Sequence, residues 1–169
     1  DNKKNNDTTN KSEENNIISN DNQKIERLKQ LGFELCGFWK LDEKKEDVQY
    51  ELYDKNPFIK KRVIYAFVME SPTPSVKYIG ICESKHTTFK IRMDRYINQR
   101  STKNSTNVNI CKRIYEALSK GYKVLIYAFS PEKAKYAETD LDIDLVKGLE
   151  SELILNFNTL EPSGWNKKS

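Results

Sequence analysis

The sequence predicts an α+β fold in which a small three-stranded antiparallel sheet is flanked by helices. Two runs of β-branched and aromatic residues, 63–69 and 76–81, are separated by a segment with two prolines, so they predict a β-hairpin. Helical and strand patterns then follow one another in the order β-β-α-α-β-α. A mixed succession of this kind favours one small sheet with helices packed against it.

The chain divides into three predicted segments. Residues 1–22 are rich in Asn, Asp, Lys, Ser and Thr and have no apolar residue before Ile17, so they predict a disordered tail. Residues 23–61 predict a helix that stops at Gly32, followed by an arm that forms either two short strands or an irregular lead-in. Residues 62–169 contain the sheet and the remaining helices, and they form the predicted core domain.

The elements after the hairpin are predicted from apolar periodicity and from helix stop signals. Gly121 is expected to end the second core helix. Acidic residues open the last helix, where they would face the positive end of its dipole. In chain order these elements are a helix with its apolar face at 89–96 and a second helix with its apolar face at 110–118 and candidate N-caps at 105–107. A third strand at 123–129 and a final helix from Asp140 to about Phe157 follow.

Cysteine and histidine usage argues against a zinc site. Cys36, Cys82 and Cys111 form an odd set without C-x-x-C spacing, and His86 is the only histidine. Reduced thiols in a cytoplasmic protein are therefore expected. No apolar run approaches the roughly 18 residues that cross a membrane, so no membrane partner is expected.

Positive charge is concentrated in one segment. Residues 84–113 contain eight lysines and arginines against Asp94 alone, a net charge of +7, whereas the rest of the chain sums to −3. Such a local field attracts phosphate, and nucleic acid is the commonest phosphate-rich partner. A solvated lysine-rich surface is the alternative interpretation of the charge by itself.

Several side chains suited to phosphodiester cleavage occur in order along the core. This reaction needs an activated oxygen nucleophile and positive charge on the phosphate oxygens. Tyr65 and Tyr78 lie on the hairpin strands, Arg92 lies on the next helix and Glu150 on the last one. Magnesium uses few protein carboxylates and keeps several waters, so one well-placed glutamate can hold it.

This order resembles the GIY-YIG nuclease family. The resemblance covers about residues 62–168, and each motif is weak by itself, whereas five motifs in order on suitable elements are much stronger. The matching motifs are Val63-Ile64-Tyr65, Tyr78-Ile79-Gly80, Phe89-x-x-Arg92-x-x-x-Tyr96, Glu150-Ser151-Glu152-Leu153-Ile154 and the tail from Pro162 to Asn166.

Four departures from the family pattern are visible. Ile81 follows the second motif where the family often has a basic residue, a role that Lys85 or His86 would fill instead. Val63 replaces the first glycine, which a strand tolerates well, and the gap from Tyr78 to Arg92 is about four residues longer than usual. The gap between the acidic motif and Pro162 is also stretched, which leaves Glu150 and Glu152 open as the metal ligand.

The resemblance implies a Mg²⁺-dependent endonuclease that hydrolyses DNA, with Mn²⁺ as a possible substitute. Glu150 would hold the metal, Arg92 would pair with phosphate oxygens, and Tyr65 would orient the attacking water or accept its proton. Tyr78 and Tyr96 would support Tyr65, while Gly80 and Asn166 would support the site. Residues expected to contact DNA are Lys85, Arg95, Arg100, Lys103, Asn107, Lys112 and Arg113.

A type II restriction enzyme is the expected biological role, since the core is compact and the arm at about 24–61 offers a means of reading sequence. Double-stranded DNA would then be the partner, and cutting both strands with one site per chain favours a homodimer. Two alternatives stay open: a solitary structure-specific or mobile-element nuclease, and a catalytically silent DNA-binding module.

Overall fold

The computed structural model describes residues 22–55, 58, 62–70, 73–82, 86–97, 105–131 and 133–168. Residues 22–30 form helix α1, and Gly32 ends its last turn at a φ of +100°, a backbone conformation that glycine adopts without strain. The other elements are β1 (Glu34–Leu41), β2 (Val48–Leu52), β3 (Val63–Glu70), β4 (Pro74–Cys82), α2 (Phe89–Asp94), α3 (Thr106–Ser119), β5 (Lys123–Phe129), β6 (Ala134–Lys135), β7 (Asp142–Ile143) and α4 (Leu145–Asn156).

The predicted three-stranded sheet is wrong, because the main sheet has five antiparallel strands in the order β2-β1-β5-β3-β4. The two additional strands come from the N-terminal arm. Trp39 of β1 lies opposite Val124 of β5 on one side and opposite Tyr50 of β2 on the other. Strands β6 and β7 form a separate two-stranded sheet. Pairing between β1 and β5 joins residues far apart in the chain, so no local pattern reveals it.

The last helix begins later than expected. Residues 142–143 belong to β7, and Asp144 caps α4 by accepting a hydrogen bond from the Lys147 N–H at 3.3 Å. A side-chain oxygen at this position satisfies one of the amide groups that the first helical turn leaves unpaired. The expected run of acidic residues inside the helix is therefore wrong, because these residues form the hairpin that precedes it.

The sheet has a hydrophobic cluster on each face. Helices α2 and α3 cover one face, and α1 and α4 cover the other. Alternation along β3 sends Tyr65 and Phe67 to the α2–α3 face and Ile64 and Val68 to the α1–α4 face. Both clusters are buried from solvent, and each of these four side chains is no more than 1% exposed.

Strand β4 is an edge strand of the sheet, and the C-terminal tail covers it. A register shift interrupts the β3–β4 ladder near Lys77, whose backbone carbonyl accepts a hydrogen bond from the Trp165 N–H at 2.7 Å. The Asn166 side chain binds Ile79 twice, because Oδ1 accepts from its N–H at 3.0 Å and Nδ2 donates to its carbonyl at 2.8 Å. The tail therefore satisfies backbone groups that an edge strand leaves open.

The three cysteines are unbridged, and burial raises the pKa of both Cys36 and Cys82 to about 12. Such thiols stay protonated at neutral pH. In the part of the chain that the structure describes, no helix combines the length and apolar character needed to cross a membrane.

Candidate active site

Three tyrosine hydroxyls meet beneath the α2–α3 face of the sheet. Tyr65 comes from β3, Tyr78 from β4, and Tyr96 from the turn that follows α2. The Tyr65 and Tyr96 hydroxyls are 2.6 Å apart, and the Tyr96 hydroxyl donates to that of Tyr78 at 3.4 Å. All three side chains are buried, so these hydrogen bonds replace the water contacts that folding removed.

Arg92 joins this tyrosine cluster to the surface. Its Nε donates to the Tyr65 hydroxyl at 2.9 Å, and its guanidinium carbon lies 5.1 Å from the centre of the Tyr96 ring. Thr88 begins α2 by accepting from the Ile91 N–H at 3.3 Å, which fixes the helix that carries Arg92. The half-buried arginine is therefore held by a hydrogen bond and by a cation–π contact.

Burial dominates the ionisation of these tyrosines. It raises the pKa of Tyr65 well above the usual range, and the neighbouring Tyr78 adds to this, while the charge and hydrogen bond of Arg92 act in the opposite direction. Burial likewise raises the pKa of Tyr96. Both hydroxyls therefore keep their protons throughout the neutral pH range.

Gly80 makes room for Tyr65. The two residues are partners in the β3–β4 ladder, and a Cβ atom at position 80 would lie 2.5 Å from both Cζ and the hydroxyl oxygen of Tyr65. No real Cβ contact is that short, so any larger residue would push the phenol ring out of the cluster. Close packing against Tyr65 therefore explains why glycine occupies the last position of Tyr78-Ile79-Gly80.

An open cavity of about 930 Å³ lies above the cluster. Tyr78 and Arg92 line it, as does Glu150 from α4. Asn107, at the start of α3, and Asn166 also line it. A second cavity of about 330 Å³ shares Tyr78, Arg92 and Glu150 with the first, so these three side chains stand where the two cavities meet.

The fold brings together some of the predicted DNA contacts and not others. Arg95 lines the smaller cavity and Asn107 the larger one. Lys112 and Arg113 are exposed on α3 and border neither cavity, and Arg113 pairs with Glu161 at 3.5 Å. The remaining predicted contacts, Lys85, Arg100 and Lys103, lie outside the described residues.

The donors around the junction fit a hard cation better than zinc. Within the described ranges, no group of three or more His, Cys, Asp or Glu side chains is placed to hold a metal ion. Glu150 borders both cavities next to Arg92, whereas Glu152 is exposed and borders neither. One carboxylate beside a space for phosphate and water suits magnesium, which takes one or two carboxylates and completes its shell with water and substrate.

Sequence reasoning missed several residues of the larger cavity. The two lysines that directly follow Asn166, Lys167 and Lys168, border it, as do Leu155 and Leu160 on the side of α4. The sequence signal that could have identified Lys167 and Lys168 is their position as two basic residues directly after the motif that ends at Asn166. Leu155 is 64% exposed, which is unusual for a leucine but gave no signal in the helical pattern.

A solved structure with a TM-score above 0.5 shares this fold, although sequence comparison finds no relatives. No protein-family model matches the chain, and no curated protein sequence matches it significantly. A variant of bacteriophage T4 EndoII superimposes with a TM-score of 0.56 at 22% identity, covering 79% of this chain and 93% of that one. The restriction endonuclease HPY188I in complex with product DNA gives a TM-score of 0.43 at 19% identity, covering 78% of this chain and 76% of that one.

Proposed function

We propose that this chain is a magnesium-dependent endonuclease of the GIY-YIG type that hydrolyses phosphodiester bonds in DNA. The observation that carries the proposal is the junction of the two cavities, where Tyr78, Arg92 and Glu150 border the same space. The shared fold with bacteriophage T4 EndoII supports it. Each of the three side chains has a role that phosphodiester hydrolysis requires.

Arg92 binds the phosphate that is cut. Its Nε is held by the Tyr65 hydroxyl, so the two terminal amino groups are the ones that meet phosphate oxygens. A planar, permanently charged fork stabilises the negative charge that builds up on these oxygens in the transition state. Because the hydrogen bond and the Tyr96 ring orient the fork in advance, little reorganisation is needed when substrate arrives.

Tyr78 orients the attacking water. Tyr78 borders both cavities, and its hydroxyl accepts a hydrogen bond from Tyr96, so its own proton is left to donate to a water in the site. The water oxygen bonds to phosphorus while the bond from phosphorus to the leaving oxygen breaks, and the proton that the water loses passes through solvent to the leaving oxygen. Tyr65 acts as a positioning residue, since burial raises its pKa and keeps its hydroxyl protonated at neutral pH.

Glu150 is the proposed ligand for Mg²⁺ or Mn²⁺, in preference to Glu152, because it borders the junction. A bound divalent ion supplies additional positive charge for the phosphate oxygens. The wider role we propose is that of a type II restriction enzyme acting as a homodimer on double-stranded DNA, because two strands of opposite direction call for two sites related by a two-fold axis.

Incubation of supercoiled plasmid with the purified protein tests the function. We expect discrete fragments with Mg²⁺ or Mn²⁺ and none with EDTA. Glu150→Ala should remove cleavage, whereas Glu152→Ala, two residues away on the same helix, is the matched control and should keep it. Intact plasmid under every condition, with a shifted band on a native gel, would instead identify a DNA-binding module without nuclease activity.

The fragment pattern also separates the biological roles. Fragments that end at one short sequence are expected for a restriction enzyme, and a two-protomer mass in sedimentation is expected with it. Preferential cutting of branched DNA over linear duplex would instead favour a structure-specific nuclease.

A further inference from the structure

The last residues of the chain are anchored immediately next to the site. Within the described residues, five hydrogen bonds hold Trp165 and Asn166. Two join the Asn166 side chain to Ile79, and one joins the Trp165 N–H to the Lys77 carbonyl. The Asn166 N–H donates to the Thr159 carbonyl and the Asn166 carbonyl accepts from the Glu161 N–H, both at 2.8 Å. Asn166 is only 8% exposed. The direction in which the chain leaves this anchor is therefore set by the sheet edge.

Two lysines follow the anchor and enter the site region. Lys167 and Lys168 are exposed, and both border the larger cavity together with Arg92. The first residues of α3, including Asn107, also line this cavity. The tail thus adds two positive charges to a cavity in which Arg92 and Glu150 are the other charged residues among those that the structure describes.

Positive charge flanks the junction in both cavities. The smaller cavity contains Arg95, whose guanidinium donates to the Thr87 hydroxyl at 3.3 Å, and the larger contains the two tail lysines. The two cavities share Arg92, so a strand that places one phosphate on Arg92 has neighbouring phosphates on either side. Lysine is a compact charge on a flexible stem and suits a phosphate that must be held without being oriented.

We propose that Lys167 and Lys168 bind a backbone phosphate adjacent to the scissile one, and that Arg95 binds the neighbouring phosphate in the other cavity. This inference rests on the proposed nuclease function for the position of the scissile phosphate. The substrate strand then crosses the junction from one cavity to the other. Contacts of this kind set the register of the strand and do not read its sequence.

The salt dependence of DNA binding tests the tail contact without requiring cleavage. The complete chain is titrated into a fluorescent 30-base-pair duplex in EDTA over a range of salt concentrations. Each lost phosphate contact reduces the slope of log K against log [salt] by about 0.9, so the K167A/K168A variant should lose roughly 0.9 to 1.8 units. The K167R/K168R variant keeps the charge and should keep the slope.

A matched double variant controls for the loss of charge. Lys120 and Lys123 are exposed near the C-terminal end of α3, which lies roughly 20 Å from the end that lines the cavity. K120A/K123A removes the same charge as K167A/K168A and should leave the slope unchanged. Equal slopes for the native protein and K167A/K168A would overturn the tail contact, as would equal losses in both double variants.

Neutral methylphosphonate groups locate the contact relative to the cut. Placed singly on each side of the mapped scissile phosphate, they should slow cleavage by the native protein on both sides. K167A/K168A should become insensitive to the substitution on one side only, and Arg95→Ala on the other side only. A native pattern of sensitivity in K167A/K168A would overturn the placement.

Failure of the proposed function is distinguishable from failure of this inference. If the native protein cuts no DNA with Mg²⁺ or Mn²⁺, the nuclease function fails, and the salt slope alone decides the tail contact. If the native protein cuts DNA and K167A/K168A retains the native slope and sensitivity, the nuclease stands and the tail contact is wrong.

Discussion

The two faces of strand β3 are equally buried and chemically different. Tyr65 and Phe67 point to the face covered by α2 and α3, whereas Ile64, Ala66 and Val68 point to the face covered by α1 and α4. None of the five is more than 1% exposed. Burial therefore does not separate the site from the scaffold, and the difference is in the polar groups that one face contains.

Those polar groups explain why the site is positioned well. A buried hydroxyl must find a hydrogen-bond partner, so Tyr65 is tied both to Tyr96 and to Arg92. The Ile64, Ala66 and Val68 side chains on the other face of β3, the aliphatic face, have no such requirement and contribute stability through packing alone. The comparison indicates that the proposed catalytic arginine is held by the protein core and not by a surface loop.

The largest expected effect is a loss of stability when a side chain of the aliphatic face is truncated. Ile64→Ala removes a fully buried side chain and should lower the free energy of unfolding by about 2–5 kcal/mol, since it loses both apolar burial and packing. Urea unfolding measures this loss. Ile143→Ala, at a side chain that is 38% exposed, is the control and should stay within about 0.5 kcal/mol of the native protein.

The same variant sharpens the comparison if its activity is measured per folded molecule. Cleavage by Ile64→Ala at a temperature where it remains folded should be close to native. A loss of cleavage as large as the loss in an arginine variant would mean that the two faces are not separable.

A smaller effect is expected when Arg92 is changed to lysine. Arg92→Lys keeps the charge but loses the Nε hydrogen bond to Tyr65 and the planar fork, so cleavage should slow by about 100-fold. Stability should change less than in Ile64→Ala. Lys90→Arg, on the exposed side of the same helix, is the matched control for single-turnover cleavage rates. Native rates in Arg92→Lys would contradict the proposed role.

The smallest effect concerns the Tyr65 hydroxyl. Tyr65→Phe keeps the ring and removes the acceptor that orients Arg92, so cleavage should slow by about tenfold while the shape of the pH–rate profile stays native. A changed profile would mean that Tyr65 itself exchanges a proton during the reaction.

Tyr65→Phe also has a signature in stability against pH. Because burial raises the pKa of Tyr65 in the folded state, its contribution to stability is complete below the unfolded pKa of about 10 and is lost as the pH rises above that value. The native protein should therefore lose about 1 kcal/mol more than Tyr65→Phe between pH 10 and 11, since the unfolded tyrosine is only half ionised at pH 10. Urea unfolding at these pH values measures the difference, and equal slopes would contradict a buried, protonated hydroxyl.

Local sequence patterns predicted the central elements because their signals are short in range. Runs of β-branched and aromatic residues marked β3, β4 and β5 close to their observed bounds. The glycine of the motif Tyr78-Ile79-Gly80 is explained by one cross-strand pair, because Gly80 lies opposite Tyr65 in the predicted hairpin. Tyr65, Tyr78, Arg92 and Glu150 were all named from the sequence. The last three border both cavities, and the buried Tyr65 hydroxyl accepts a hydrogen bond from Arg92.

Tertiary contacts decided everything that depends on distant segments. Strand β1 joins the sheet because its residues pair with β5, nearly ninety positions later, and no periodicity within the arm reveals such a partner. The preference for Glu150 over Glu152 and the entry of Lys167 into the cavity depend on how α4 and the tail dock on β4. The sequence by itself determined which side chains are available for the chemistry, because residue type and local periodicity are written in adjacent positions. Only the folded chain decided which of them share one space, because that follows from long-range packing and strand pairing.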